Sequence, residues 1–89
     1  LLGLGRAREA VPLLARALEL RQGQATPDEI AEAQLALARA LRASGGDAAR
    51  ARALATSARD LLAPLAAKYG SYYAASLREV TEFLGPAVP

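Results

Sequence analysis

The chain has 89 residues, a net charge of +2 and a hydrophobic fraction of 53%, much of it alanine, with one Phe and three Tyr. Cysteine is absent, which excludes disulfides, thiolate catalysis and cysteine-rich zinc sites, and His, Met and Trp are absent as well. The eleven Lys and Arg and nine Asp and Glu are interspersed without blocks of one sign, so the charge pattern does not indicate a nucleic-acid or membrane partner.

Helix-forming residues dominate and β-branched residues are scarce, which favours packed helices over sheets. No apolar run approaches the roughly 18 residues that cross a bilayer. No signal-peptide pattern opens the chain, but this says nothing about the parent because the N-terminus has the pattern of a cut end. The location that we expect is cytoplasmic. The opening letters LLGLG are typical of a helix end and a turn. We therefore expect an excised piece of a larger protein, in which the apolar residues Leu1, Leu2 and Leu4 favour self-association.

The first predicted helix runs from Arg6 to about Gln22, and Gly23 is its stop. Pro12 removes a backbone donor and restricts the residue before it, so the pattern predicts a start near Ala7 with a local kink. The apolar residues that recur with the period of an amphipathic helix are Ala10, Leu13, Leu14, Ala17 and Leu18.

The segment Thr26-Pro27-Asp28-Glu29 predicts the start of a second helix. It combines an N-cap hydroxyl, proline at the first helical position and a Glu that completes a capping box. Ser44-Gly45-Gly46 predicts the end of this helix, since glycine takes positive φ at low cost. Its inward stripe is predicted at Ile30, Gln34, Leu37, Ala38 and Leu41.

Asp47 is predicted to cap a third helix. Pro64 is predicted to bend this helix, or to end it, about one turn before the proline. If the helix continues past Pro64, Gly70 is predicted to end it. The predicted inward stripe of this helix is Ala51, Leu54, Ala55, Ala58, Leu61, Leu62 and Leu65. The fourth predicted helix runs from about Ser71 to Leu84, with Tyr73, Leu77, Val80 and Leu84 inward and Tyr72 exposed.

An internal repeat relates the first and third helices. The segment from Gly5 to Ala10 aligns with the segment from Gly46 to Ala51, an offset of 41 residues (46 minus 5), and the apolar pattern after each segment also agrees. Between Ala31 and Leu62, small and apolar residues occupy consensus positions of the tetratricopeptide (TPR) repeat: Leu37, Ala38, Leu41, Ala51 and Ala58. The chain therefore resembles the TPR family, with Gln34 at the family's aromatic opening position and a displaced Pro64 as departures.

The resemblance implies an all-α fold of antiparallel helix hairpins in a TPR-like α-solenoid of about four helices. It divides the chain into a truncated unit at 1–22, a complete helix pair at 23–69, and a capping helix with its tail at 70–89. The Ala- and Arg-rich segment EAVPLLARALEL also resembles the helical-repeat tails of large bacterial signalling proteins, including some serine/threonine kinases. The implied function is a non-catalytic scaffold for protein–protein interaction, or for packing within such a parent.

In TPR proteins the first helix of each unit lines a concave groove. The matching positions here are Glu32, Leu35, Arg39, Arg42 and Ala43. Because arginine recognises carboxylates through its planar fork and Leu35 lies off the inward stripe, the resemblance implies an extended, acidic peptide as partner. The alternative is that both arginines are solvated and that Leu35 packs against a neighbouring repeat.

Other functional classes have weaker support. No nucleophile, base or metal set is evident, so we expect no catalytic residue, cofactor or metal; Glu29 and Glu32 are better explained by capping and solvation. A second hypothesis is a basic module that contacts nucleic acid or anionic membrane, although interleaved acids disfavour it. Its arginines would be Arg16, Arg21, Arg50, Arg52 and Arg59. A third is a structural terminal cap without a partner.

Overall fold

The computed structural model describes residues 4–85, which form four α-helices and no strand. α1 comprises Leu4–Arg21, α2 Pro27–Ala43, α3 Ala48–Tyr69 and α4 Ser71–Leu84. The predicted all-α class is confirmed. The predicted self-association involves the side chains of Leu1, Leu2 and Leu4, which lie outside the described part of the chain.

The predicted helix boundaries are largely confirmed by their caps. The Thr26 backbone N–H donates to Oε1 of Glu29 at 3.0 Å at the start of α2, and Asp47 accepts from the Arg50 backbone N–H at 3.0 Å at the start of α3. Gly45 and Gly70 both have φ of 71°, a left-handed conformation in which a β-carbon would be strained. These local interactions satisfy backbone groups that a helix end leaves unpaired.

Two predictions about the start of the first helix are wrong, because Leu4 and Gly5 already belong to α1: they form no turn, and the helix does not start near Ala7. Of the bend or end predicted at Pro64, the end is wrong, since α3 continues past this proline to Tyr69. Each proline removes only one helical hydrogen bond, the one to the carbonyl four residues earlier. Pro12 and Pro64 both lie on exposed sides of their helices, where water can satisfy that carbonyl, so packing on the opposite side keeps α1 and α3 continuous.

Each helix packs against the next one in the chain, α1 on α2, α2 on α3 and α3 on α4. Short turns make the consecutive pairs antiparallel. Gln34 of α2 donates from Nε2 to Oγ of Ser57 in α3 at 3.0 Å, and Arg52 of α3 donates to the carbonyl of Leu84 in α4 at 3.3 Å. Arg39 of α2 lies 3.6 Å from Glu79 of α4, and Arg42 of α2 lies over the Phe83 ring of α4, so these two helices lie side by side on α3. Because each is antiparallel to α3, they run in the same direction.

The core combines alanines and leucines, most of them contributed by α2 and α3. Among its fully buried members with no measurable exposure are four alanines, Ala31, Ala38, Ala55 and Ala58. Side chains of this size allow helix backbones to approach closely and still pack densely. The inward stripes predicted for α2 and α3 are all buried or half-buried, as predicted.

The inward position predicted for Leu13 is wrong. Leu13 is 71% exposed, because α1 packs mainly against α2 and buries the side that carries Leu18. Phe83, which the predicted stripe of α4 does not include, is buried at 9% exposure. Neither outcome follows from periodicity, since both depend on which neighbours a helix has.

Replacing Ala58 with Leu tests the alanine packing of α3. Three added carbons have no space at a fully buried position, so Ala58→Leu is expected to lower the free energy of unfolding by about 1–3 kcal/mol. The matched variant Ala53→Leu adds the same atoms at an exposed position of the same helix and is expected to change stability little. Urea denaturation followed by circular dichroism measures both; equal losses would contradict close packing at Ala58.

Candidate binding groove between α2 and α4

Because α2 and α4 lie in parallel on α3, a surface groove runs between them, here called the α2–α4 groove. It holds two separate cavities, one of about 350 Å³ near the C-terminal ends of both helices and one of about 240 Å³ near their N-terminal ends. The first, the arginine end, is lined by Arg39, Arg42, Ala43, Glu79, Glu82 and Phe83. The second, the tyrosine end, is lined by Asp28, Glu32, Leu62, Tyr72, Tyr73 and Ser76.

Four of the five residues predicted for the groove line it. Arg39, Arg42 and Ala43 lie together at the arginine end, and Glu32 lies at the tyrosine end. The exception is Leu35, which is only 6% exposed and belongs to the core. The prediction of an exposed Leu35 is wrong because α2 packs against α1 as well as α3, so a wider part of its circumference is covered.

The sequence reasoning missed the contribution of α4 to the arginine end. Nη2 of Arg39 lies 3.6 Å from Oε2 of Glu79, and both side chains are more than half exposed. An ion pair this exposed contributes at most about 1 kcal/mol, because water screens it. With Glu82 also lining the cavity, two carboxylates face two guanidinium groups, so the arginine end is balanced in charge and not simply basic.

Arg42 has a structural role that the sequence did not indicate. Its guanidinium lies 3.5 Å from the centroid of the Phe83 ring, and Nη2 donates to the Phe83 carbonyl. Arg52 of α3 donates to the next carbonyl, that of Leu84. α4 has no basic residue in its own last turn, so cations from two other helices stabilise its C-terminal carbonyls and the negative end of its dipole.

The tyrosine end combines aromatic rings with carboxylates. The rings of Tyr72 and Tyr73 are 4.8 Å apart and nearly perpendicular, at 88°. Tyr72 is 77% exposed and Tyr73 is half-buried, which confirms the prediction for this pair. Burial, and then the negative charge of Asp28, raise the pKa of Tyr73 above its ordinary value of 10.0.

Of the two carboxylates Glu29 and Glu32, the first is engaged in the cap of α2. Glu29 accepts a hydrogen bond from the Thr26 backbone N–H at 3.0 Å and shares the Thr26 hydroxyl proton, at 3.0 Å, with Asp28; these interactions lower the pKa of Glu29. A carboxylate stabilised in its charged form at the surface is a cap, not a general acid. Within residues 4–85, no group of three or more acidic side chains is placed to hold a metal ion, and no helix is long and apolar enough to span a membrane.

The arginines of the second hypothesis are all exposed, but they are divided between α1 and α3. Two of them already have partners: Arg59 lies 3.6 Å from Asp60, and Arg52 binds the Leu84 carbonyl. Their engagement with the chain's own groups leaves fewer free cations for a phosphate backbone.

Comparisons of the chain with protein-family models, with curated proteins and with solved structures give no match. The TPR resemblance therefore depends on the chain's own sequence repeat and consensus positions.

Removing the Arg42 side chain is expected to loosen the end of α4. Arg42→Ala loses the carbonyl hydrogen bond and the contact with Phe83, and is expected to cost about 1 kcal/mol of stability at this partly exposed site. Arg39→Ala is the control, since it removes an equal charge from an exposed ion pair. Urea denaturation and hydrogen exchange of the α4 amides measure the effect. Equal behaviour of the two variants would contradict the role given to Arg42.

The capping box predicts a specific pH dependence. Because hydrogen bonds from Thr26 hold the pKa of Glu29 below its ordinary value of 4.5, its stabilising contribution is present above pH 4.5 and is lost as the pH falls through the lowered pKa. Between pH 6 and pH 3, Glu29→Gln is expected to lose less stability than the wild type. Glu32→Gln, outside the cap, is the matched control and should follow the wild type in thermal denaturation. A Glu29→Gln curve parallel to the wild type would exclude this coupling.

Proposed function

We propose that this chain is a non-catalytic, TPR-like helical scaffold that binds a segment of a protein partner in the α2–α4 groove. The observation that carries the proposal is the groove itself, which is open to solvent and lined with charged and aromatic side chains on two parallel helices. Side chains that meet across it are 40 or 41 residues apart in sequence, Arg39 with Glu79 and Arg42 with Phe83. This spacing matches the repeat between α1 and α3 and supports a stack of equivalent hairpins.

Partner recognition at the arginine end depends on the ion pair between Glu79 and Arg39. In the free protein its carboxylate lies beside Arg39, where an acidic side chain of a partner would bind. Glu79 is therefore an internal competitor, and its weak, exposed ion pair is easily exchanged for another carboxylate. Arg42 keeps α4 in place and provides one wall of the cavity. Arg39 is accordingly the residue that we assign to an acidic partner group.

One observation favours packing within a larger signalling protein as a second form of the same function. Leu13 and Leu20 on α1 are 71% and 66% exposed. Their counterparts 41 residues later, Leu54 and Leu61, pack against the core, because α3 packs against two helices, α2 and α4. The exposed side of α1 thus corresponds to the side of α3 that a second helix covers, which supports packing against a further helical element.

Two variants, Glu79→Gln and Arg39→Gln, test whether the groove binds an acidic peptide. A fluorescein-labelled acidic peptide is expected to bind Arg39→Gln about fivefold more weakly, a loss of about 1 kcal/mol, and Glu79→Gln two- to threefold more tightly. Fluorescence anisotropy at low salt measures both affinities.

Each variant has a control with the same change in net charge. Arg78→Gln removes an exposed cation of α4 that does not line the cavity, and Glu9→Gln removes an exposed carboxylate of α1. Both controls should bind the peptide with wild-type affinity. If Glu79→Gln and Glu9→Gln strengthen binding equally, the effect is one of net charge and the assignment of the groove is wrong.

A further inference from the structure

The tyrosine end of the α2–α4 groove has a chemistry that the acidic-partner proposal does not use. Its two side walls come from α2 and α4, and its floor from α3, where Leu62 is 2% exposed. The cavity of about 240 Å³ is partly enclosed by these three helices and has space for the end of one long side chain. This end lies far along both helices from the arginines, so its ligand must be considered separately.

The aromatic walls are arranged to receive a positive charge. Tyr72 and Tyr73 meet edge to face, and an edge-to-face pair leaves a ring face of one partner open. The face of an aromatic ring carries negative charge density, which attracts ammonium and guanidinium groups within about 6 Å of the centroid. The nearby Tyr69 already has such a neighbour, since Nζ of Lys68 lies 5.3 Å from its centroid. The 77% exposure of Tyr72 means that the core does not require its ring.

The charges around the cavity also favour a cation. Asp28 and Glu32 line it from α2, one turn apart. Asp28 accepts a hydrogen bond from the Thr26 hydroxyl through Oδ1, which leaves its second oxygen available. Within the described residues the ion pairs join Arg39 to Glu79 and Arg59 to Asp60, so neither Asp28 nor Glu32 is in an ion pair with an arginine or lysine. An anion would be repelled from the cavity, and a cation would be attracted.

We propose that the tyrosine end of the groove binds the cationic head of a lysine or arginine side chain from a protein partner. The head would lie against Tyr72 and Tyr73 with Asp28 and Glu32 as counter-charges, while its alkyl stem covers Leu62. Aromatic rings and carboxylates act together here, because carboxylates attract any cation whereas ring faces select the weakly hydrated, polarisable ones.

Together with the proposed function, this site sets the direction in which a peptide lies in the groove. Glu32 and Arg39 are seven residues apart on α2, a distance of about 10 Å along a helix. About three residues of extended chain span this distance. A partner segment with a basic residue about three positions from an acidic one would satisfy both ends. Only this spacing depends on the proposed function; the cation site stands without it.

Small probes test the cation site alone. The full ¹⁵N-labelled chain is titrated with N-acetyl-arginine amide, and with N-acetyl-glutamate as the anionic comparison, at low salt. The arginine probe is expected to give saturable shifts of the amides around Tyr72 and Glu32. Tyr72→Ala should weaken binding about two- to fivefold, the equivalent of about 0.5–1 kcal/mol for an exposed contact, and Tyr72→Phe should retain it because the ring face remains.

Two further variants separate the effects of charge and of ring. Glu32→Gln is expected to weaken binding about threefold at low salt and to have little effect at high salt. Tyr69→Ala removes an exposed tyrosine outside the cavity and should bind like the wild type. The proposal is overturned if the wild type gives no saturable shifts, if Tyr72→Ala binds as well as Tyr72→Phe, or if the glutamate probe shifts the same amides. The acidic-peptide assay reports on Arg39 and Glu79, whereas the arginine probe reports on the tyrosine end. A negative result in one assay therefore does not affect the interpretation of the other.

Discussion

The close packing of α3 through small side chains is the constraint on which the rest of the molecule depends. Ala51, Ala55 and Ala58 are buried along this helix, and α3 contacts both α2 and α4. Alanine contributes little hydrophobic area, but it lets backbones approach closely. Both neighbours also contact each other, through Arg39 with Glu79 and Arg42 with Phe83. Every interaction across the α2–α4 groove is a consequence of this arrangement.

α4 forms the second wall of the α2–α4 groove, on the helix pair of α2 and α3. Its last carbonyls are stabilised by Arg42 and Arg52, which belong to the two helices beneath it. These contacts give two of the ten arginines a structural reason to be where they are. They also divide the arginines into two kinds: Arg42 holds the fold together, whereas Arg39 forms a weak surface pair that a ligand can replace.

The two ends of the groove differ in chemistry because the charges of α2 are segregated along its length. Asp28 and Glu32 lie in its first half, and Arg39 and Arg42 in its second half. This order also suits the helix dipole, since acids stabilise the N-terminal end and cations the C-terminal end. The segregation that stabilises α2 therefore also gives the groove a polarity. In the function that we propose, two sites of opposite preference recognise the order of charges in a partner, which a uniform patch cannot do.

The sequence by itself determined the four helices, their caps and most inward positions, because these features depend on interactions between residues a few positions apart. The capping box at Thr26 and the exposed Tyr72 are examples. Only the tertiary structure decided which faces are covered. Leu35 is buried and Leu13 is exposed, against prediction, because burial depends on the number of neighbours that a helix has. The pairing of Arg39 with Glu79 and of Arg42 with Phe83 joins residues 40 and 41 positions apart. No local pattern encodes such contacts, which exist because α3 holds α2 and α4 side by side.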